Sequence, residues 1–173
     1  MFPPPIYDYP PLFTLQPNLD TRQKQIDTWI SILLNYAQEN KRTTWTLSSE
    51  GVFTNPKISR SLDSSFILLL YHELVKRNLA EWKKDSKNSV LFLYYKTPDE
   101  WATILYQYII DTGQTNSVLT LFELLQGDDT LNQEFHGLDS DFFKSKILDV
   151  LVKSGKATLL SASDENEIGI KFF

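Results

Sequence analysis

The sequence predicts an α+β fold, mainly α, built from two similar units behind an extended arm. Three observations carry that expectation. Six of the eight prolines fall within residues 1–17, one order of helix and strand signals occurs twice in the rest of the chain, and the sign of the charge changes where the second run begins. Residues 1–17 carry Asp8 alone, residues 18–96 carry 12 basic and 8 acidic residues (net +4), and residues 97–173 carry 5 basic and 13 acidic residues (net −8). Hidden in the formal charge of −5 for all 173 residues, that reversal points to two units meeting different surroundings. The expected divisions are an arm over 1–17 and domains over 18–96 and 97–173.

Pro3, Pro4, Pro5, Pro10, Pro11 and Pro17 fix φ and remove amide donors, which predicts an extended arm, largely polyproline II. The same stretch keeps Phe2, Ile6, Tyr7, Tyr9, Leu12, Phe13 and Leu15, an apolar load that a solvated linker does not need. Pro4-Pro5-Ile6-Tyr7 fits the PPxY pattern, and Pro10-Pro11-Leu12-Phe13 nearly copies it. A segment ordered before it docks loses less entropy on binding, and burying Tyr7 or Phe13 contributes roughly 1.5–3 kcal/mol by area. Pro4, Pro5, Tyr7, Pro10, Pro11 and Phe13 are therefore expected to dock onto a partner; as alternatives, the arm folds back on its own domain, or the first motif is a WW-domain ligand.

After the arm, Ile26, Trp29, Ile30, Leu33, Leu34 and Ala37 form a continuous helical stripe, starting from the polar cluster 18–21. Thr43 to Leu47 reads as a short strand, and Asn55-Pro56 as a turn opening a brief helix to Arg60. Asp63 caps a helix to about Asn78 whose apolar residues cover more than one face, so that it is expected to be mostly buried, His72 with it. Ala80 to Lys83 and Val90 to Tyr95 make a hairpin with a polar tip. Thr97-Pro98-Asp99-Glu100 is a capping box with proline at the first helical position, and the helix it opens ends at Gly113. Val118 to Thr120 is a short strand, Leu121 to Leu125 a brief helix, and Gly127-Asp128-Asp129 a loop. Asp139 caps a helix from Ser140 to about Ser154, and Thr158 to Ser161 with Ile168 to Phe173 form a second hairpin around Asp164-Glu165-Asn166.

The halves repeat one another. Thr46-Leu47 corresponds to Thr120-Leu121 at an offset of 74, Leu62-Asp63-Ser64 to Leu138-Asp139-Ser140 at 76, and Val90–Tyr95 to Ile168–Phe173 at 78; small loop insertions would give that drift. Helix, short strand, short helix, capped helix and hairpin, twice over, is the order of tandem winged helices.

Chemistry is sparse. With no cysteine and two histidines, no disulfide framework or thiolate zinc site can form, and no metal or cofactor is expected. His136 beside Asp139 and Ser140 makes no triad by sequence neighbourhood alone, Asp128-Asp129 with Glu123 reads as solvated acids, and six scattered glycines supply no phosphate loop. No enzymatic activity is expected. The longest apolar run, Phe66 to Tyr71, is far short of the ~20 residues that span a bilayer, and residues 1–5 show no secretory signal, so a cytoplasmic location is expected. Duplex DNA would need a basic, exposed recognition helix; Ser64–Asn78 is apolar with Lys76 and Arg77 at its end, and a −8 domain repels phosphate. A nucleic-acid-binding, transcription-related winged helix is the weaker alternative.

The arm, Thr21-Arg22-Gln23-Lys24-Gln25-Ile26 with Trp29, Thr120-Leu121-Phe122-Glu123-Leu124, Gly127-Asp128-Asp129-Thr130 and Glu134-Phe135-His136-Gly137-Leu138 together resemble the small-subunit family of ESCRT-II, a complex of endosomal sorting. Phe13 stands where the second motif of the family has tyrosine. The resemblance implies two winged helices without enzymatic activity, serving protein transport in multivesicular body formation. It implies docking of the arm onto the two larger winged-helix ESCRT-II subunits, and recruitment of the first ESCRT-III subunit, through its basic N-terminal helix, by the second winged helix. Thr120, Leu121, Glu123, Asp128 and Asp129 are expected at that second contact, which a −8 domain would favour, with Leu121 or Leu124 as core residues the alternative. Endosomal membrane is then reached through the complex.

Overall fold

A computed structural model describes residues 1–48, 51–164 and 167–173 and divides the chain between Tyr95 and Lys96 into two units. In the first, α1 (Leu19–Glu39) starts where Asn18 accepts a hydrogen bond from the Thr21 amide, satisfying one of the amides that a helix start leaves without a partner. The stripe read from the sequence is its buried face, with Trp29, Leu33 and Ala37 fully enclosed. Then follow β1 (Thr44–Thr46), a 3₁₀ turn at Gly51–Phe53, β2 (Thr54–Asn55), a 3₁₀ turn at Pro56–Ile58, β3 (Arg60–Ser61), α2 (Ser64–Lys76), β4 (Ala80–Trp82) and β5 (Val90–Leu93). β1, β5 and β4 form an antiparallel sheet in that order, pairing Trp45 with Leu91 and Trp82 with Leu91 from the other side. The two-residue ladder of β2 and β3 pairs Thr54 with Ser61. It is too short to leave a period-2 signal, and the sequence reading has no strands there.

α2 corrects one expectation. Asp63 caps it as foreseen, accepting from the Phe66 amide at 2.8 Å, and Phe66, Ile67, Leu70, Tyr71 and Leu74 are buried. Leu68 and Leu69, however, are half-buried, and His72 is exposed, its ring edge-on to Trp82 at 5.7 Å. The 13-residue helix packs against α1 and β4, and that packing covers Leu68 and Leu69 only in part.

The second unit repeats the order. α3 (Pro98–Asp111) begins with the complete capping box of Thr97 and Glu100. β6 (Val118–Thr120) leads into α4 (Leu121–Gln126), and the acidic loop is a 3₁₀ turn, Asp128–Thr130. The capped helix that follows runs through α5 (Ser140–Phe142), a π-helical stretch Phe143–Leu148 and α6 (Asp149–Lys153). β7 (Ala157–Leu160) and β8 (Gly169–Phe172) close a sheet in the order β6-β8-β7, the same arrangement as in the first unit. Of the tip expected at Asp164-Glu165-Asn166, Glu165 and Asn166 lie outside the described residues.

The π-helical stretch explains part of the repeat drift. From cap to cap α2 spans Asp63 to Arg77, whereas its counterpart spans Asp139 to Ser154, one residue more. A π-helix carries i→i+5 spacing and accommodates an extra residue inside a helix. The drift therefore does not arise in loops alone.

All four long helices end alike. After α1, Arg42 N–H bonds to the Ala37 carbonyl and Lys41 N–H to that of Gln38; after α2, α3 and α6 the same pair recurs with Asn78, Gly113 and Gly155 in the left-handed position. This is the Schellman closure. Lys41 (φ 50°) and Asn78 (φ 58°) fill it without being glycine.

Candidate functional site

The arm is neither extended nor separate from the first unit. Pro5–Asp8 and Pro10–Phe13 are 3₁₀ turns, closed by Tyr7 N–H to Pro4 O, Tyr9 N–H to Ile6 O, Leu12 N–H to Tyr9 O and Thr14 N–H to Pro11 O. The correction has a simple cause. The φ that proline imposes suits the first turn of a helix as well as polyproline II, and burial of Tyr7, Leu12 and Phe13, each at 6% exposure or less, selects the turn.

Those side chains enter the unit's own core. Tyr7 lies edge-on to Phe13 at 5.5 Å and to Phe2 at 5.0 Å, and Phe13 edge-on to Trp29 at 5.3 Å, geometries that aromatic quadrupoles favour. The Tyr7 hydroxyl sits 2.8 Å from the Val52 carbonyl and 2.9 Å from that of Thr54. Having one proton, it shares it between them. Removal from water, with Tyr36 and Asp8 near, pushes its pKa up to about 12.

Backbone carbonyls of the arm are met by α1. Trp29 Nε1 donates to Leu12 O at 2.8 Å, and Gln25 Nε2 donates toward the carbonyls of Leu12 and Thr14 at 3.0 and 2.8 Å while its Oε1 accepts from Gln16 N–H. Asn55 both caps the Pro56–Ile58 turn and donates to Tyr7 O at 2.8 Å. Asp8 takes Lys57 and Asn55 as partners, and the Lys57 bond above all holds its carboxyl below the usual range. Phe2 N–H donates to Glu39 at the far end of α1.

The six arm residues singled out from sequence thus fall into two sets. Tyr7 and Phe13 face inward, so the expectation that they fill a partner's groove is corrected for the folded chain: their surface is already spent on Trp29 and on each other. A WW domain would meet the same obstacle, because the tyrosine of Pro4-Pro5-Ile6-Tyr7 is not presented. Pro5, Pro10 and Pro11 are exposed and Pro4 half-buried. Beside them stand Ile6 and Tyr9, 43% and 55% exposed, two residues outside the six singled out from sequence. With Pro11, Leu12, Thr21, Lys24 and Thr28 they line a groove of about 200 Å³. Alternation around Tyr7 was the available signal, since Ile6 and Tyr9 cannot share its direction in a three-residue turn. Gln25 was missed, although it stands four residues before Trp29 on the same helix face.

In the second unit, Thr120 and Glu123 are partners in a capping box, Thr120 Oγ1 accepting from Glu123 N–H at 3.1 Å and Glu123 Oε2 from Thr120 N–H at 2.6 Å. Leu121, 1% exposed, belongs to the core and is corrected as a contact residue: it opens α4 on the side facing the sheet. Asp128 and Asp129 are exposed, and so are Phe122 (50%) and Leu131 (60%). His136 Nδ1 meets Thr130 Oγ1 at 2.9 Å, while the Asp139 carboxylate accepts from Phe142 N–H as a helix cap. Among the described residues no group of three His, Cys, Asp or Glu is placed to hold a metal, and no helix is long and apolar enough to cross a membrane.

The family model described as ESCRT-II complex subunit matches residues 6–139. Vacuolar protein-sorting-associated protein 25 of Xenopus laevis is 41% identical over 170 residues, covering 96% of this chain and 95% of the relative, and its human counterpart is 40% identical, covering 96% and 94%. The Saccharomyces cerevisiae protein is 31% identical with 97% of each covered. Among solved structures, subunit VPS25 of the endosomal trafficking complex ESCRT-II superposes with a TM-score of 0.84 at 32% identity over 97% of each chain. A chain of the crystal structure of endosomal complex ESCRT-II (VPS22/VPS25/VPS36) does so with 0.82 at 32% identity over 98% of each.

Proposed function

The chain belongs to the vacuolar protein-sorting-associated protein 25 family of ESCRT-II subunits, and from that premise we propose that it is a non-enzymatic adaptor of two winged-helix domains, 18–96 and 97–173. Its arm docks onto the larger subunits, the counterparts of VPS22 and VPS36, and its second domain engages the first ESCRT-III subunit in multivesicular body sorting. The protein works in the cytoplasm and reaches the endosomal membrane through the complex.

One observation carries the docking part of this reading: Tyr7 and Phe13 are sunk in the core, so Pro5, Ile6, Tyr9, Pro10 and Pro11 stand as an ordered apolar surface. Among the proposed assembly residues, Tyr7 and Phe13 act as struts from beneath, and Pro4, Pro5, Pro10 and Pro11 make contact. A surface ordered in the free protein costs less to bind than a flexible arm. For the ESCRT-III contact, the exposed acids Glu123, Asp128 and Asp129 flank Phe122 and Leu131, a combination suited to a basic amphipathic helix.

Deleting residues 1–13 would strip cover from Trp29 and confuse unfolding with lost assembly. The cleaner test replaces Tyr9 and Pro10 with Glu, both exposed. The variant should keep its circular dichroism and thermal midpoint yet fail to co-purify with the two larger subunits. Retained assembly would refute the docking role.

A further inference from the structure

The first unit shows what a helix face of this kind holds. Trp29, Ile32, Tyr36 and Glu39 lie on one face of α1, and the arm runs along it, from Leu12 at Trp29 to Phe2, whose ring is 5.0 Å from Tyr36 and whose amide is on Glu39. Under this cover Ile32 is 2% exposed.

α3 carries the same pattern 72 residues later: Trp101, Ile104, Tyr108 and Asp111 stand where α1 has Trp29, Ile32, Tyr36 and Glu39. The equivalence is fixed independently by the left-handed residues Lys41 and Gly113 that end the two helices. Within the second unit Lys96 lies over the Trp101 ring at 5.8 Å, and Phe135 lies edge-on to Tyr108 at 5.4 Å. Among the described residues of this unit, no ring or cation is placed over Ile104 in that way. Ile104 is half-buried between two open grooves, one walled by Lys96, Glu100 and Thr103, the other by Gln107, Asp111 and Gln133.

We propose that the Ile104 face of α3 receives an aromatic side chain from an extended segment of a partner protein, with an amide or cation of that segment on the Asp111 carboxylate. It is the in-trans counterpart of Phe2 on Tyr36 and Glu39. The occupant is a partner rather than a second copy, because Tyr7, Leu12 and Phe13 hold this chain's own arm in the first unit. The acidic surroundings, net −8 over 97–173, select a cationic segment. The site stands on the internal repeat and is independent of the acidic Phe122 surface.

The test titrates the ¹⁵N-labelled full chain with a synthetic amidated peptide of residues 1–7, followed by NMR. Amide shifts are expected from Thr103 to Asp111 and at Gln133. Thr103→Arg, at an exposed groove wall, should weaken binding roughly tenfold, and both Asp111→Asn and acetylation of the peptide about threefold. No shift on α3 at about 1 mM peptide, shifts elsewhere, or indifference to Thr103→Arg would overturn the site. A dimer of the chain alone, dissolved by Thr103→Arg in sedimentation velocity, would overturn the choice of occupant.

Discussion

Replacing Tyr7 with Phe isolates what holds the arm in place. The ring and its contacts with Phe2, Phe13 and Trp29 survive, while the hydroxyl bridging the Val52 and Thr54 carbonyls is lost. A buried hydrogen bond contributes about 0.5–1.5 kcal/mol net, and leaving its partners unsatisfied costs about 1–3 kcal/mol; a loss of about 1–2 kcal/mol is expected. For a unit of this size that lowers the midpoint by roughly 5–12 °C. Guanidinium denaturation followed by tryptophan fluorescence reports it, since Trp29 and Trp45 are both fully buried. The effect also has a pH signature. Because folding raises the Tyr7 pKa from 10.0 to about 12, the hydroxyl's contribution is complete below pH 10 and is lost as pH rises through about 12. The difference between wild type and Tyr7→Phe should therefore narrow across that window. A difference below about 0.3 kcal/mol at pH 7, or one that stays constant to pH 12, would refute the hydroxyl as the arm's latch.

Lys41→Gly should stabilise the first unit by about 0.5–1 kcal/mol in denaturant titration, since a left-handed residue with a Cβ is strained and the helix closure stays the same. Deleting Ser145, exposed within the π-helical stretch, should leave the second unit folded with a regular α-helix, whereas deleting Leu69 from α2 turns Leu70, Tyr71 and Leu74 out of the core and should unfold the first unit; circular dichroism and NMR dispersion distinguish the two. Asp8→Asn removes a carboxylate held below its usual pKa by Lys57, so any stability difference from wild type should be present at neutral pH and vanish on acidification through the carboxylate range. Phe122→Asp should weaken capture of a basic amphipathic peptide by roughly tenfold without changing the thermal midpoint, which surface plasmon resonance and calorimetry can check.

Much of the architecture was legible because its signals are local. The α1 stripe, the Thr97 and Asp63 caps and both hairpins each rest on residues close in sequence. The arm was not, for a definite reason: proline sets φ, whereas ψ separates polyproline II from a 3₁₀ turn, and ψ here follows from Tyr7 finding Val52 and Thr54 more than forty residues away. Thr120 ends β6, as the sequence suggests, and also forms with Glu123 a capping box that the sequence carries as Thr-x-x-Glu. The pattern shared by Trp29–Glu39 and Trp101–Asp111 is also present in the sequence, at an offset of 72 that lies outside the 74 to 78 of the other matches. The half-exposed face of α2 could not be read, since apolar residues at every position of a helix say how much of it wants cover, not how much cover the unit has.

The arm's partners inside the unit have an order in time. Residues 2–13 leave the ribosome well before Trp29, and before Val52, Thr54 and Asn55, on which they come to rest. At about 5–20 residues per second the nascent arm spends several seconds with its aromatic rings in water. Throughout that interval the Tyr7 hydroxyl has not yet met the Val52 and Thr54 carbonyls that sequester it in the finished unit. Tyr7 therefore has two chemical lives, a brief accessible one on the ribosome and a long sequestered one afterwards.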